Sequence, residues 1–289
     1  MNIATRGAWF PAVLAAAVLC FASSAGAQGA ATPQPGGSGG VTNQTTMGAG
    51  GGLGDSLAYG TVGHQQERDE FAAFQSFSKE TDSAKKIQKG REFLKKYPKS
   101  RFEEPIDAAL ADTYRTQADW TDEYRYADLA LALDPDDVDV LASVGWTIPH
   151  AFDPKSPDAN DQLDKAQKYA LHAIDVLATL PKPAGKTDEQ FATAKAWRTY
   201  QAHSALGLVY FRRNDYESSE KELAQAVGAN AKLDQTDFYV LGMDRAHLSQ
   251  FSEAADAFHA CAAIAGPLQG PCSKNAAVAA NQAASPKSQ

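Results

Sequence analysis

The sequence predicts an all-α chain built from repeated helix pairs, and two observations carry that prediction. The first is an internal echo. The stretch AHSALGLVYFRRNDY (202–216) returns in register as DFYVLGMDRAHLSQF (237–251), so that Leu206-Gly207 becomes Leu241-Gly242, 35 residues on. Downstream, Tyr216, Ser219, Leu223 and Ala226 become Phe251, Ala254, Phe258 and Cys261. The second is periodicity: apolar residues recur at helical spacing throughout 64–264, with no convincing run of strand-like alternation. A period of this length marks helix pairs that cannot bury an apolar face alone and so stack on their neighbours.

At the N-terminus, Arg6 is followed by the uncharged apolar stretch Ala8–Ala22 and by the cleavage signature Ala25-Gly26-Ala27. This pattern predicts a signal peptide over 1–27 and a mature chain that starts at Gln28, exported to the periplasm or secreted. The apolar stretch is shorter than the roughly 20 residues that cross a bilayer, so no stable span is expected after cleavage; retention as an anchor is the alternative. Residues 28–63 hold 12 of the 22 glycines and no Lys or Arg, and are expected to be a disordered linker. Over 64–103, Phe71, Phe74 and Phe77 form an apolar stripe and Tyr97-Pro98 closes a second helix, which predicts a degenerate first pair.

The array proper is expected over 104–268. In LALDPDD (131–137) Pro135 ends a helix and counts back to Leu110, Ala111 and Tyr114 in the preceding one, with Ala127 and Ala130 at close-packing positions. Glu123 stands where a small residue is expected. The next pair puts Leu141, Val144 and Gly145 on its first helix and Ala166, Ala170 and Ala173 on its second. Nine extra residues between them predict an inserted loop over 148–161. Thr187 and Gln190 have capping-box spacing, so a long helix is expected from there to about Arg213. The last residues, 269–289, read as a largely disordered stub.

The Leu-Gly pair, the aromatic and the small residues that follow resemble the tetratricopeptide repeat, strongly over 200–264. The resemblance implies a right-handed α-solenoid of antiparallel helix pairs. It further implies a non-catalytic scaffold that binds a peptide or protein segment in a concave groove lined by the first helices. Carried across residue by residue, the groove positions fall on Asp112 and Arg115, then Trp146 and His150, then Leu208, Phe211 and Arg212, and finally Tyr239, Met243 and His247. Aromatic and Arg side chains are the usual hot-spot types. The expected guest is partly apolar, with an acidic group on Arg115 or Arg212. One branch of the family clamps a terminal carboxylate; here Ala108, Ala109, Ser143, Ser204 and Ala205 stand at the clamp positions, so that chemistry is not expected. The alternative is a structural envelope protein that self-associates as a homodimer through its array ends.

Composition narrows the classes further. Lys and Arg number 27 against 35 Asp and Glu, and losing Arg6 with the leader makes the balance more acidic. A nucleic-acid binder would show a basic stripe instead. The six histidines form no ligand pair, no nucleophile elbow occurs, and neither cofactor nor metal is expected. After cleavage Cys261 and Cys272 remain. An even pair in an oxidising compartment can bridge, the alternative being two unlinked thiols.

Overall fold

The computed structural model describes residues 56–229 and 234–285, with side chains from Gln65 onward. Among the described residues there are eleven helices and no strand. The signal segment 1–27 and most of the glycine-rich segment lie outside them. The chain divides into two compact units, split after Ala231.

The first unit holds α1 (Ser56–Ser78), α2 (Ser83–Lys96), α3 (Glu103–Thr116), α4 (Trp120–Leu133), α5 (Val138–His150), α6 (Ala159–Thr179), α7 (Asp188–Arg212) and α8 (Tyr216–Ala229). Consecutive helices pack in pairs, and α7 lies against α5, α6 and α8. Aspartates punctuate the array. Asp82 accepts from the Lys85 amide at 2.9 Å, Asp119 from Asp122 at 3.2 Å and Asp137 from Asp139 at 2.9 Å. Each satisfies an amide that the first turn leaves without a partner. Thr187 and Gln190 close a reciprocal box at the start of α7.

The Leu-Gly register has a direct steric cause. A Cβ at Gly207 would stand 2.7 Å from Leu223 Cδ2, and Leu223 is fully buried on α8. A methyl group there must push the two helices apart. Gly207→Val should therefore cost about 2 kcal/mol, as overpacking does. A lowered urea midpoint checks this; an unchanged midpoint would mean that the helices separate freely.

Three expectations on boundaries need correction. Helix α1 begins at Ser56, eight residues inside the segment expected to be disordered. Ser56 to Tyr59 contain neither glycine nor proline, so nothing in the backbone stops the helix there. The insertion is shorter than 148–161: Ile148–His150 complete α5, Ala159 opens α6, and the loop is 151–158. Pro149 sits in the last turn of α5 and Phe152 is buried, so the insertion supplies core rather than only a surface loop. The third correction falls in the second unit.

That unit holds α9 (Gln235–His247), α10 (Phe251–Ala263) and α11 (Gln269–Ala284). Phe258 fills the space over Gly242, where a Cβ would meet its ring at 2.7 Å, and meets Tyr239 edge-on at 5.9 Å. The stub expected from 269 is a helix to Ala284. Cys272, Ala276 and Ala279, at helical spacing, turn one buried face towards α10. Two ties hold it. Cys261 and Cys272 are joined as a disulfide, with Cα atoms 5.8 Å apart. The Gln235 side chain accepts from the Leu268 amide at 3.2 Å and donates to the Ile264 carbonyl at 2.5 Å.

The tight turns repeat as the sequence does. Ala118, Asn214 and Ser249 all take positive φ, at 56°, 62° and 62°. The amide after each reaches back five residues: Asp119 to Tyr114, Asp215 to Tyr210 and Gln250 to Arg245. Among the described residues none of these turns uses the glycine that the conformation favours.

Candidate functional site

A cleft of about 430 Å³ opens on the first-helix side of the first unit, between α3, α5 and α7. The helices that form it are the ones that present groove positions in the repeat register. Asp112 and Arg115 come from α3, Trp146 from α5, and Trp197 and Gln201 from the added turns of α7. One residue of a second helix, Glu123 on α4, reaches the lining from behind.

The polar atoms of this cleft are poorly matched by the protein itself. Arg115 Nη2 donates to Asp112 at 2.5 Å, but its buried Nε has no hydrogen-bond partner. Trp146 Nε1 is likewise buried without an acceptor. The His150 ring packs tilted against Trp146, with centroids 4.0 Å apart, and its Nδ1 donates to the Trp146 carbonyl at 2.8 Å, which leaves Nε2 unmatched. Glu123 is 1 % exposed and neither of its oxygens accepts a hydrogen bond. Burial pushes its carboxyl up to about 8, against the lesser pulls of the Thr147 hydroxyl and Arg115. Most buried polar groups in folded proteins are paired, so three residues with orphaned atoms in one lining, with His150 behind them, need an explanation.

A larger cleft of about 710 Å³ lies between the second helices α4 and α6. Most of its polar groups are already paired, and none is a buried orphan. Lys165 donates to Asp128 at 2.6 Å, Tyr169 to the same carboxylate at 2.8 Å, and His172 stands 2.8 Å from Asp136. Size favours this cleft; unmet hydrogen-bonding capacity favours the smaller one, and it is the latter that a ligand would satisfy.

The residues named from the sequence fall into three groups. Asp112, Arg115 and Trp146 line one cleft, with His150 behind Trp146. Leu208 and Phe211 are buried and present no surface to a guest, which corrects their assignment. Arg212 is turned inward: its guanidinium lies 5.2 Å over the Phe152 ring and 3.5 Å from the Pro149 carbonyl, and burial lowers its pKa. In the second unit Tyr239 and Met243 are core, while His247 is exposed. The register gives the direction of a side chain but not what covers it. An acidic guest on Arg115 or Arg212 is also disfavoured, because Asp112 already holds the first and the protein interior the second. Sequence reasoning missed Trp197, which stands on the added turns before the repeat, and Gln201, which lies at the repeat's start ahead of its groove positions. It noticed Glu123 only as a departure.

No protein-family model matches the chain, and no curated protein matches it in sequence. Solved structures do. The crystal structure of PilW, a widely conserved type IV pilus biogenesis factor, is 15% identical with a TM-score of 0.50, over 76% of this chain and 88% of that one. The APC/C hetero-tetramer Cut9-Hcn1 is 13% identical with a TM-score of 0.50, over 71% of this chain and 35% of that one. A thermophilic tetratricopeptide-repeat protein of Thermus thermophilus, TTC0263, is 14% identical over 74% of this chain and 99% of that one, with a TM-score of 0.43. Identities this low speak to the fold alone. No described helix is long and apolar enough to cross a membrane.

Proposed function

We propose that this chain, which has the all-α solenoid fold of tetratricopeptide-repeat proteins, is a non-catalytic scaffold that docks a segment of another protein in the cleft between α3, α5 and α7. The observation that carries this reading is the set of unmatched buried polar atoms on Arg115, Trp146 and Glu123 around an open cleft. A partner can supply the missing hydrogen bonds, and the two indoles supply rigid contact area. We also propose that the chain works outside the cytoplasm. The charged, then apolar, then Ala-Gly-Ala leader supports export, and the Cys261–Cys272 bond suits an oxidising compartment. The mass of the mature protein, expected to begin at Gln28, tests this second point.

The docking reading is tested with a photo-crosslinking residue in place of Trp197, in the native cell. A discrete adduct is expected there. None is expected from the same residue at Leu171, which is exposed on α6. Adding Trp146→Ala should weaken capture about 30-fold, the loss of roughly 2 kcal/mol typical of an aromatic anchor. Equal adducts from both positions, or capture indifferent to Trp146→Ala, would remove the cleft from consideration.

A further inference from the structure

We propose that the residue entering this cleft is a lysine of the partner segment, its ammonium docked on the carboxylate of Glu123. This rests on the docking reading above and adds the chemistry of what is docked.

Glu123 is the one acid of the lining that no cation of the protein pairs with. Asp112 is held by Arg115, and Asp139 by Arg198 of α7. The Thr147 hydroxyl nearest to hand is spent on the Ser143 carbonyl at 3.1 Å. A fully buried carboxyl with no hydrogen bond is costly, and it occupies a crossing where an alanine would pack without penalty. Its retention is accounted for if a cation completes it. The charge balance agrees: the lining holds three carboxyls and one guanidinium, which is already opposed by Asp112.

The rest of the lining suits a lysine in particular. The lining includes Ala111, Val140 and Val144, apolar surface suited to a four-carbon stem, and the indoles of Trp146 and Trp197, which favour a nearby cation. The lining offers one carboxyl that no cation of the protein holds. A compact ammonium can be satisfied by that carboxylate with few further acceptors. A guanidinium carries five donors in a fixed fork, and most would be buried unmet. A partner carboxylate would bring a second buried acid beside Glu123 and leave both without a counter-charge.

The test is a titration of the mature chain with Nα-acetyl-lysine N-methylamide, followed by the indole N–H signals. The norleucine and arginine analogues serve as comparisons. Norleucine keeps the stem and drops the charge. The lysine probe is expected to move Trp146 and Trp197 saturably and leave Trp120, which does not line the cleft, in place. Norleucine should bind at least tenfold more weakly, and so should arginine. Glu123→Gln, which is close to isosteric, should reduce lysine binding to the norleucine level without changing norleucine binding. If lysine and norleucine bind alike, or Glu123→Gln leaves the lysine affinity intact, the lysine assignment falls while docking in the cleft survives. Tighter binding of arginine overturns the choice of ammonium. If no probe moves either indole, the lysine assignment and the docking reading fall together.

Discussion

Unfolded in urea at pH 5.5, the first unit is expected to be more stable than at pH 8.5 by about 3–5 kcal/mol. Two deeply buried acids set the sign. Burial raises the Glu123 carboxyl to about 8 and that of Asp107, which is 2 % exposed, to about 7, Glu103 adding to the second rise and Arg125 opposing it. Both groups ionise near pH 4 in an unfolded chain. Their folded pKa values are therefore above their unfolded ones. The stability associated with the protonated form is complete below about pH 4 and is lost as pH rises through 7 to 8. Each unit of difference is worth about 1.4 kcal/mol, and relaxation around the charges trims the total. Glu104, raised to about 7 by burial and by the neighbouring Asp137, acts in the same direction. Trp120, Trp146 and Trp197, the tryptophans of the described residues, all lie in this unit, so with residues 1–27 removed their fluorescence reports it alone. Glu123→Gln should raise stability by about 2–3 kcal/mol at pH 8.5 and change little at pH 5.5. A stability that is flat across this range, or that rises with pH, would show that these carboxyls reach water. Together with the probe titration this variant separates the two roles of Glu123: a purely structural residue would not become more stable and less able to bind in one substitution.

How much of this could be read from the residues depends on which physical rule was in play. The Leu-Gly register was legible because it reports contact at closest approach. Gly207 meets Leu223 and Gly242 meets Phe258, the same 16 positions on, and no larger residue fits either place. The capping box at Thr187 and Gln190 was legible because it is local. The aspartate caps belong to the same class. Helix α11 was not legible as structure, since its sequence does not echo the repeat and it is tied to the rest of its unit through Cys261. The groove was half legible. Asp112, Arg115 and Trp146 do share a cleft, but Leu208 and Phe211 are covered, and coverage is a property of neighbours rather than of register. The most informative residue, Glu123, announced itself only as the wrong size for its position. That both its oxygens are unmatched could be seen only once α3, α5 and α7 were assembled around it.

Breaking the Cys261–Cys272 bond is expected to release α11 while the rest of its unit stays folded. The bond closes a segment with a sequence separation of 11, and the loop-entropy relation gives about 3 kcal/mol for a closure of that size. Without it, α11 keeps only a narrow face of small residues. Cys272, Ala276 and Ala279 are its buried positions, each removing far less apolar surface from water than a leucine would. The Gln235 hydrogen bonds secure the turn before the helix, not the helix. By contrast α9 and α10 hold Tyr239, Leu241, Met243 and Phe258 between them, a core that needs no cross-link. The double variant Cys261→Ala, Cys272→Ala makes the comparison clean, because Cys261 occupies a position where the repeat elsewhere carries alanine. Hydrogen exchange should show the amides of α11 opening about 100-fold more readily in this variant, the population shift that corresponds to about 3 kcal/mol. Those of α10 should change much less. If α11 retains its protection without the bond, its alanine face and Gln235 suffice and the disulfide is incidental. If α10 loses protection equally, the terminal helix is an integral part of the core rather than a cover stapled onto it.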